Sequence, residues 1–298
     1  MLGELRARPW SASALEVYLA CPSRWFIERV LRPVTPDPDP EPLLRGGLAH
    51  AALADTLEGL RQRTGSARVT TAHLQLALEL LGEALACHEH RFPLSAQAER
   101  LPGARRRLHT DLERYLRHAA AAEPDTTALE PKWLELQFGF DEHEDELPAL
   151  DLGEGVMLRG RIDRIDLTPD GQAVVYDYKG ARVTPGAKWL SEGRIQLALY
   201  MYAVQQLLGL RVAGGMYQPL SGVDLRARGV LDMEAGVTLD CVRTDLIGTA
   251  ELNAIVHEAL ELARASAMRA VRGAIESRPH TCSYAGICTY PAICRCGR

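Results

Sequence analysis

Hydrophobic spacing divides the chain into regions of different period. From Leu43 to about Ala122, apolar residues recur at helical spacing, with breaks near Thr64–Val69 and Arg91–Pro93. The span of roughly 131–183 is strand-rich instead. A helix from about 191 to 209 follows, then strands around Arg211–Pro219 and Asp224–Asp232, then a helix from about 249 to 277. Upstream, residues 11–32 read as a helix capped by Ser11 or Ser13. Thr35-Pro36-Asp37-Pro38-Asp39-Pro40-Glu41-Pro42 reads as an extended, stiff linker. There is no internal repeat. Strands, a helix and further strands in this order predict a mixed α/β fold, with a central mixed sheet flanked by helices.

Within the strand-rich span, Leu158–Asp166 and Val174–Lys179 flank the turn signal Thr168-Pro169-Asp170-Gly171. A hairpin here sets Asp163 and Asp177 at one of its ends, with Lys179 beside them. Strand alternation puts Asp163 on the face of Ile165 and Leu167, and Asp177 and Lys179 on the face of Val175. A solvated hairpin would segregate its charges from its apolar residues. Carboxylates on a partly buried face need a partner, and a cation is the obvious one. Two oxygen donors suit Mg²⁺ or Mn²⁺, and a neighbouring ammonium can orient or help activate a water on the metal. Such a set is an apparatus for hydrolysing a phosphodiester.

Gln196 and Tyr200, four apart in a helical segment, share a helix face. The ordered set Gly160-x-x-Asp163, Asp177-x-Lys179, Gln196-x-x-x-Tyr200 resembles the RecB-type branch of the PD-(D/E)xK nuclease superfamily. The resemblance implies a restriction-endonuclease-like core. It makes Asp163 and Asp177 metal ligands and Lys179 catalytic, with Gln196 and Tyr200 bordering the active site and the DNA. Leu44-Arg45-Gly46-Gly47-Leu48-Ala49-His50 matches the upstream helix of that family and points to His50 as a further metal ligand. Glu135, in Trp133-Leu134-Glu135-Leu136-Gln137-Phe138, matches a family glutamate on the strand before the hairpin, which by the resemblance makes it a further candidate metal ligand.

The seven cysteines are Cys21, Cys87, Cys241, Cys282, Cys288, Cys294 and Cys296. The chain shows neither a signal peptide nor a long apolar segment, so a cytoplasmic protein is expected. Clustered thiols there read as soft-metal ligands, for an iron–sulfur cluster or zinc. Ser13–Phe26, around Cys21-Pro22, resembles the first-cysteine motif of iron–sulfur RecB-type nucleases. That group holds the AddB nuclease domain, exonuclease V and the CRISPR-associated RecB-like nucleases. The resemblance implies a [4Fe–4S] cluster on Cys21, Cys282, Cys288 and Cys294. Cys288 and Cys294 match the usual last pair. The five residues between Cys282 and Cys288 exceed the two or three common in the family. Cys296 is an alternative ligand, and a four-cysteine zinc site is the rival. Cys87 and Cys241 read as small buried hydrophobes. A cluster would clip residues 11–32 to residues 278–298. Closing so long a loop removes roughly 4–5 kcal/mol of unfolded-state entropy in the simple model.

Composition sets the outer limits. With 298 residues, 47% hydrophobic and 24% charged, the chain reads as a soluble globular protein. It reads as a single nuclease domain, with residues 51–130 as a helical insertion that could act as a lid or guide DNA. A net charge of −5 gives no global basic field for nucleic acid. The arginines are unevenly spread, however. Arg105, Arg106 and Arg107, with Arg100, Arg114 and Arg117, form a run that can track phosphates or simply face solvent. Arg24, Arg29 and Arg32 flank Cys21, and the acidic run Asp141–Glu146 reads as an exposed loop. Gly180–Lys188 fails as a phosphate loop, because its glycine spacing is wrong and Lys188 does not follow Gly186 directly. The expected function is a metal-dependent DNA nuclease. By resemblance it is an exonuclease on single strands or DNA ends in repair or recombination, acting alone or with a separate helicase. End processing in CRISPR adaptation and a non-catalytic iron–sulfur DNA-binding scaffold are the alternatives. A zinc-stabilised helical interaction protein is a third, disfavoured because both motif sets occur together in family order.

Overall fold

The structure is a computed structural model. It describes residues 8–33, 41–95, 97, 99–140, 146–278 and 290. Among these, a mixed eight-stranded sheet runs in the order β1-β4-β5-β6-β7-β8, with β2 and β3 also paired to β4. The strands are β1 (Trp10–Ser11), β2 (Glu130–Phe138), β3 (Leu150–Asp151), β4 (Met157–Leu167), β5 (Ala173–Lys179), β6 (Val212–Pro219), β7 (Arg228–Asp232) and β8 (Leu246–Ile247). The long β4 lies between β2 and β5, antiparallel to both, while β5 pairs in parallel with β6. Seven α-helices lie among the described residues: α1 (Ala12–Ala20), α2 (Pro22–Trp25), α3 (Glu41–Thr64), α4 (Leu74–His88), α5 (Leu101–Ala122), α6 (Gln196–Leu208) and α7 (Thr249–Val271). This is the mixed sheet flanked by helices that the order of patterns predicts.

Strand alternation decides what packs where. Ile165, Val175, Tyr217 and Val230 face a core shared with α1, α6 and α7. Tyr178 and Leu220 join a second core built by α3, α4 and α5. Val174, Tyr176, Met216 and Leu231 form a third, smaller cluster. Asp163 and Asp177 share the face of Ile165 and Val175 and are almost wholly buried, at 6% and 2% exposed.

Several elements depart from the pattern reading, each for a local reason. The expected helix over 11–32 is three pieces. Ser11 caps α1 by accepting from the Ala14 amide at 3.2 Å. Cys21 then adopts an extended backbone (φ −160°, ψ 110°), as the residue before Pro22 must avoid helical geometry. A π-helical stretch, Phe26–Leu31, follows α2. Helix α6 starts at Gln196 rather than 191, after a turn in which Gly193 has φ +65°. Strand β7 starts at Arg228, because the Asp224 carboxylate accepts from the Arg226 amide and forms a local turn in place of a ladder. Helix α7 stops at Val271, just ahead of Gly273 at φ +81°. The short strands β1 and β3 have too few residues to show any period. Cys87 is exposed and Cys241 half-buried, so neither is the buried small hydrophobe expected of it. The expected extended linker Thr35–Pro42 fails at its end, where Glu41 and Pro42 open α3, as proline is tolerated in a first helical turn; residues 34–40 and residues 141–145 of the acidic run lie outside the described residues.

Candidate metal centre

The centre forms where β4 and β5 part. Their ladder runs from Leu167↔Ala173 to Arg164↔Tyr176 and stops, one step short of setting Asp163 against Asp177. The Tyr178 amide beyond it donates to Asp163 Oδ2 at 2.7 Å instead. Asp163 Oδ1 lies 3.2 Å from His50 Nδ1, so both oxygens of one carboxylate are engaged and its rotation is fixed. His50 projects from α3, its ring edge against Tyr178 at 5.6 Å between centroids.

Glu135 completes the group from the far side of β4. The β2–β4 register skips it between Leu134↔Arg164 and Leu136↔Ile162. Its φ of +52° is left-handed, a strained geometry for a residue with a side chain. Glu135 Oε1 lies 3.6 Å from His50 Nδ1, and Oε2 pairs with Arg161 Nε at 2.8 Å. Donor atoms of His50, Glu135 and Asp163 all fall within 4.8 Å of one another. One imidazole and two carboxylates at that spacing suit a hard divalent cation.

Asp177 is not in that trio. Its carboxylate is ion-paired with Lys179, two residues along the same strand face. Lys179 Nζ also donates to Gln196 Oε1 at 3.4 Å, and Gln196 Nε2 faces the Tyr200 hydroxyl at 3.5 Å. The Tyr200 ring lies over Gly160. A Cβ there would sit 2.7 Å from Tyr200 Cε1, so only glycine admits the ring this close. All seven residues expected from sequence at the centre therefore converge, in two adjoining groups.

Burial and crowding of like charges set the electrostatics of the centre. Burial pushes the Asp177 carboxyl up to about 7, reinforced by Asp163 and opposed by Lys179. Burial disfavours the His50 imidazolium, yet hydrogen bonds and charges from Asp163 and Glu135 outweigh it and raise the imidazole to about 10. Glu135 Oε1 and Asp177 Oδ2 are buried with no well-formed hydrogen bond and rely on ion pairing alone.

Two features escaped the sequence reading. On the opposite face of β4, the Arg164 side chain is only 11% exposed and is ion-paired with Asp166 at 2.9 Å. It donates to the Tyr115 and Tyr178 hydroxyls at 2.8 and 3.2 Å and sits over the Tyr176 ring at 4.1 Å. An Arg-x-Asp pair on one face of a core strand was the available signal. The second is how the chain's distant segments meet. The Tyr18 hydroxyl donates to Ala274 O (2.7 Å), Ser23 Oγ to Ile275 O (2.5 Å), and Arg278 Nη1 to Leu19 O (2.6 Å). Cys21, buried at 7% exposed, lies within this seam. Cys282, Cys288, Cys294 and Cys296 lie outside the described residues.

The arginine run divides. Arg105 pairs with Glu89 at 3.0 Å. Arg106 and Arg107 line an open groove of about 570 Å³ with Arg45 and Asp111. Arg45 and Asp111 also line the adjoining cavity, whose far wall includes His50, Tyr178 and Lys179. No described helix is long and apolar enough to cross a membrane.

Comparison with known proteins agrees with this geometry. Residues 9–295 match the family described as the PD-(D/E)XK nuclease superfamily. Among curated proteins, an ATP-dependent helicase/deoxyribonuclease subunit of Symbiobacterium thermophilum is 32% identical over 234 residues, covering 70% of this chain and 19% of that protein. The chain thus spans about a fifth of the length of that curated relative.

Proposed function

Because the chain belongs to the PD-(D/E)XK nuclease superfamily, we propose that it is a metal-dependent deoxyribonuclease, an exonuclease acting on single strands or DNA ends in repair or recombination. The observation that carries this reading is the convergence of His50, Glu135 and Asp163 beside the buried Asp177–Lys179 pair. In it, His50, Glu135, Asp163 and Asp177 hold Mg²⁺ or Mn²⁺. A cation so held supplies Lewis-acid stabilisation of charge on the phosphate and acidifies the attacking water. Lys179 orients that water, and Gln196 and Tyr200 border the scissile phosphate. Arg106 and Arg107, with Arg45, offer charge for phosphates along the groove leading away from Lys179. Arg45 is itself paired with Asp111 at 2.5 Å, as Arg105 is with Glu89 at 3.0 Å. The relative's name joins a deoxyribonuclease to an ATP-dependent helicase, which supports a separate motor as partner. A cytoplasmic location accords with this role. The direct test is cleavage of end-labelled single- and double-stranded DNA with Mg²⁺ or Mn²⁺. Cleavage surviving both Asp177→Ala and Lys179→Ala would remove the site assignment.

Cation binding and protons compete in this reading. Free of metal, His50 keeps its proton up to about pH 10, and Asp177 keeps one up to about pH 7. Mn²⁺ affinity should therefore rise about tenfold per pH unit between 7 and 9, and more steeply below 7. Titration calorimetry at several pH values reads the slope, and His50→Gln should flatten it above 7. A slope near zero in the wild type would contradict His50 as a ligand.

For the cysteines we propose a [4Fe–4S] cluster on Cys21, Cys282, Cys288 and Cys294. The hydrogen-bonded seam from Tyr18 and Ser23 to residues 274–276 supports it, since it brings Cys21 near the stretch leading to the other three. Protein purified without oxygen should be brown, with broad visible absorption. Cys21→Ala should bleach it and lower stability by several kcal/mol, about what closing so long a loop contributes. A colourless protein holding one equivalent of zinc, lost in Cys21→Ala, would assign the zinc site instead.

A further inference from the structure

Helix α6 carries Gln196 as its first residue, yet has no cap of its own. The N-cap position is Ile195, whose side chain can accept nothing. The acceptor comes from another helix. Glu16 Oε1, on α1, accepts from both the Ile195 and Gln196 amides, each at 2.9 Å. Its second oxygen pairs with Arg194 Nη1 at 3.4 Å, and the Glu16 side chain is only 12% exposed. A carboxylate here satisfies orphan donors and complements the positive end of the helix dipole. The two partners are 179 and 180 residues away in sequence.

The cap fixes more than a helix end. It grips the backbone of the residue whose side chain reaches the site, since Gln196 Oε1 accepts from Lys179 Nζ at 3.4 Å. The axial height and rotation of α6 set that contact, and Tyr200 one turn later rides on the same helix against Gly160. We propose that Glu16 is a positioning residue for the hydrolytic reaction. Acting as the N-cap of α6 in trans to its own helix, it holds Gln196 against the Lys179 ammonium. The inference rests on the reading above that Lys179 orients the attacking water.

The test combines amide exchange with a kinetic cycle on the full chain. In Glu16→Ala, hydrogen–deuterium exchange should quicken in the peptide holding Ile195 and Gln196 and stay unchanged through β4 and β5. With Mn²⁺ and an end-labelled single-stranded oligonucleotide, Glu16→Ala should lower kcat by roughly 10–100-fold, the usual scale for a group acting through a site residue. KM and Mn²⁺ affinity should hold. Glu16→Gln, which keeps an acceptor oxygen, should recover most of the loss. In a Gln196→Ala background, Glu16→Ala should change kcat little further. The proposal is overturned by an undiminished effect in that background, by a kcat loss that only follows a fall in melting temperature, or by unchanged exchange at 195–196. A wild type that cleaves nothing would overturn the functional reading and the positioning role with it, while exchange still reports whether the cap exists.

Discussion

In an Asp177→Asn variant, metal-dependent cleavage should fall on the order of 10²–10⁴-fold, the range for groups that act directly on a reacting proton or charge. The same variant should unfold at higher temperature than the wild type when no metal is present. Both effects follow from burial. Asp177 is 2% exposed, and desolvation together with Asp163 holds its carboxyl up to about 7. A group whose folded value exceeds its unfolded one binds protons more tightly in the native state. The wild type therefore loses stability as pH rises from about 4 through 7, and asparagine does not. The gap should open across that window to ~1–3 kcal/mol at neutral pH and close below pH 4. Lys179, deprived of its partner, is exposed enough to be hydrated. Saturating Mn²⁺ should reverse the order, stabilising the wild type by about 2.7 kcal/mol at a hundredfold excess over Kd and the variant by much less. Thermal melts with and without Mn²⁺ at pH 5 and 7.5 decide it. A variant less stable than the wild type in every condition would mean that Asp177 is a structural carboxylate.

The largest loss of stability should come from the other face of the same strand. Arg164→Met removes the guanidinium that neutralises Asp166, itself 3% exposed, and strips two tyrosine hydroxyls of their donor. Breaking a buried pair from one side costs about 3–5 kcal/mol, because the remaining charge keeps its desolvation penalty. Asp166 already stands at about 6 beside the arginine, burial being the main cause, so it should climb further without it. The deficit of Arg164→Met should accordingly deepen as pH rises above 6. Arg164→Met/Asp166→Leu, lacking both charges, should recover much of the loss. Urea denaturation of the two variants measures this. A single substitution costing under about 1 kcal/mol would show that water reaches the pair.

The hairpin and its chemistry were legible because local rules governed them. Thr168–Gly171 announces the turn, and alternation sets Asp163 and Asp177 on one apolar face. Four-residue spacing stacks Gln196 and Tyr200 on α6. What stayed hidden depends on contacts with no local period. The family match points to Glu135 itself, but not to the left-handed backbone through which it reaches His50, since no pattern of apolar residues announces a positive φ at glutamate. Glu16 looks like one acidic residue on a short helix until α6 is brought against it. The alternation rule also carried unread information: it sets Arg164 and Asp166 together on the buried face opposite the carboxylates.

The seam between the chain's beginning and residues 274–278 bears on how the protein is made. Trp25 stacks on Trp10 and meets Tyr18 edge-on inside the core, yet all three are synthesised well before that seam can close. The Tyr18 hydroxyl waits for a carbonyl 256 residues later, and β1 waits for β4, which emerges after five α-helices. Contacts of such separation form late and slowly. Until α7 and Ala274 leave the ribosome, this aromatic cluster lacks part of the surface that covers it in the folded protein. Such a nascent chain is a natural client for chaperones and a point of aggregation when synthesis outruns them.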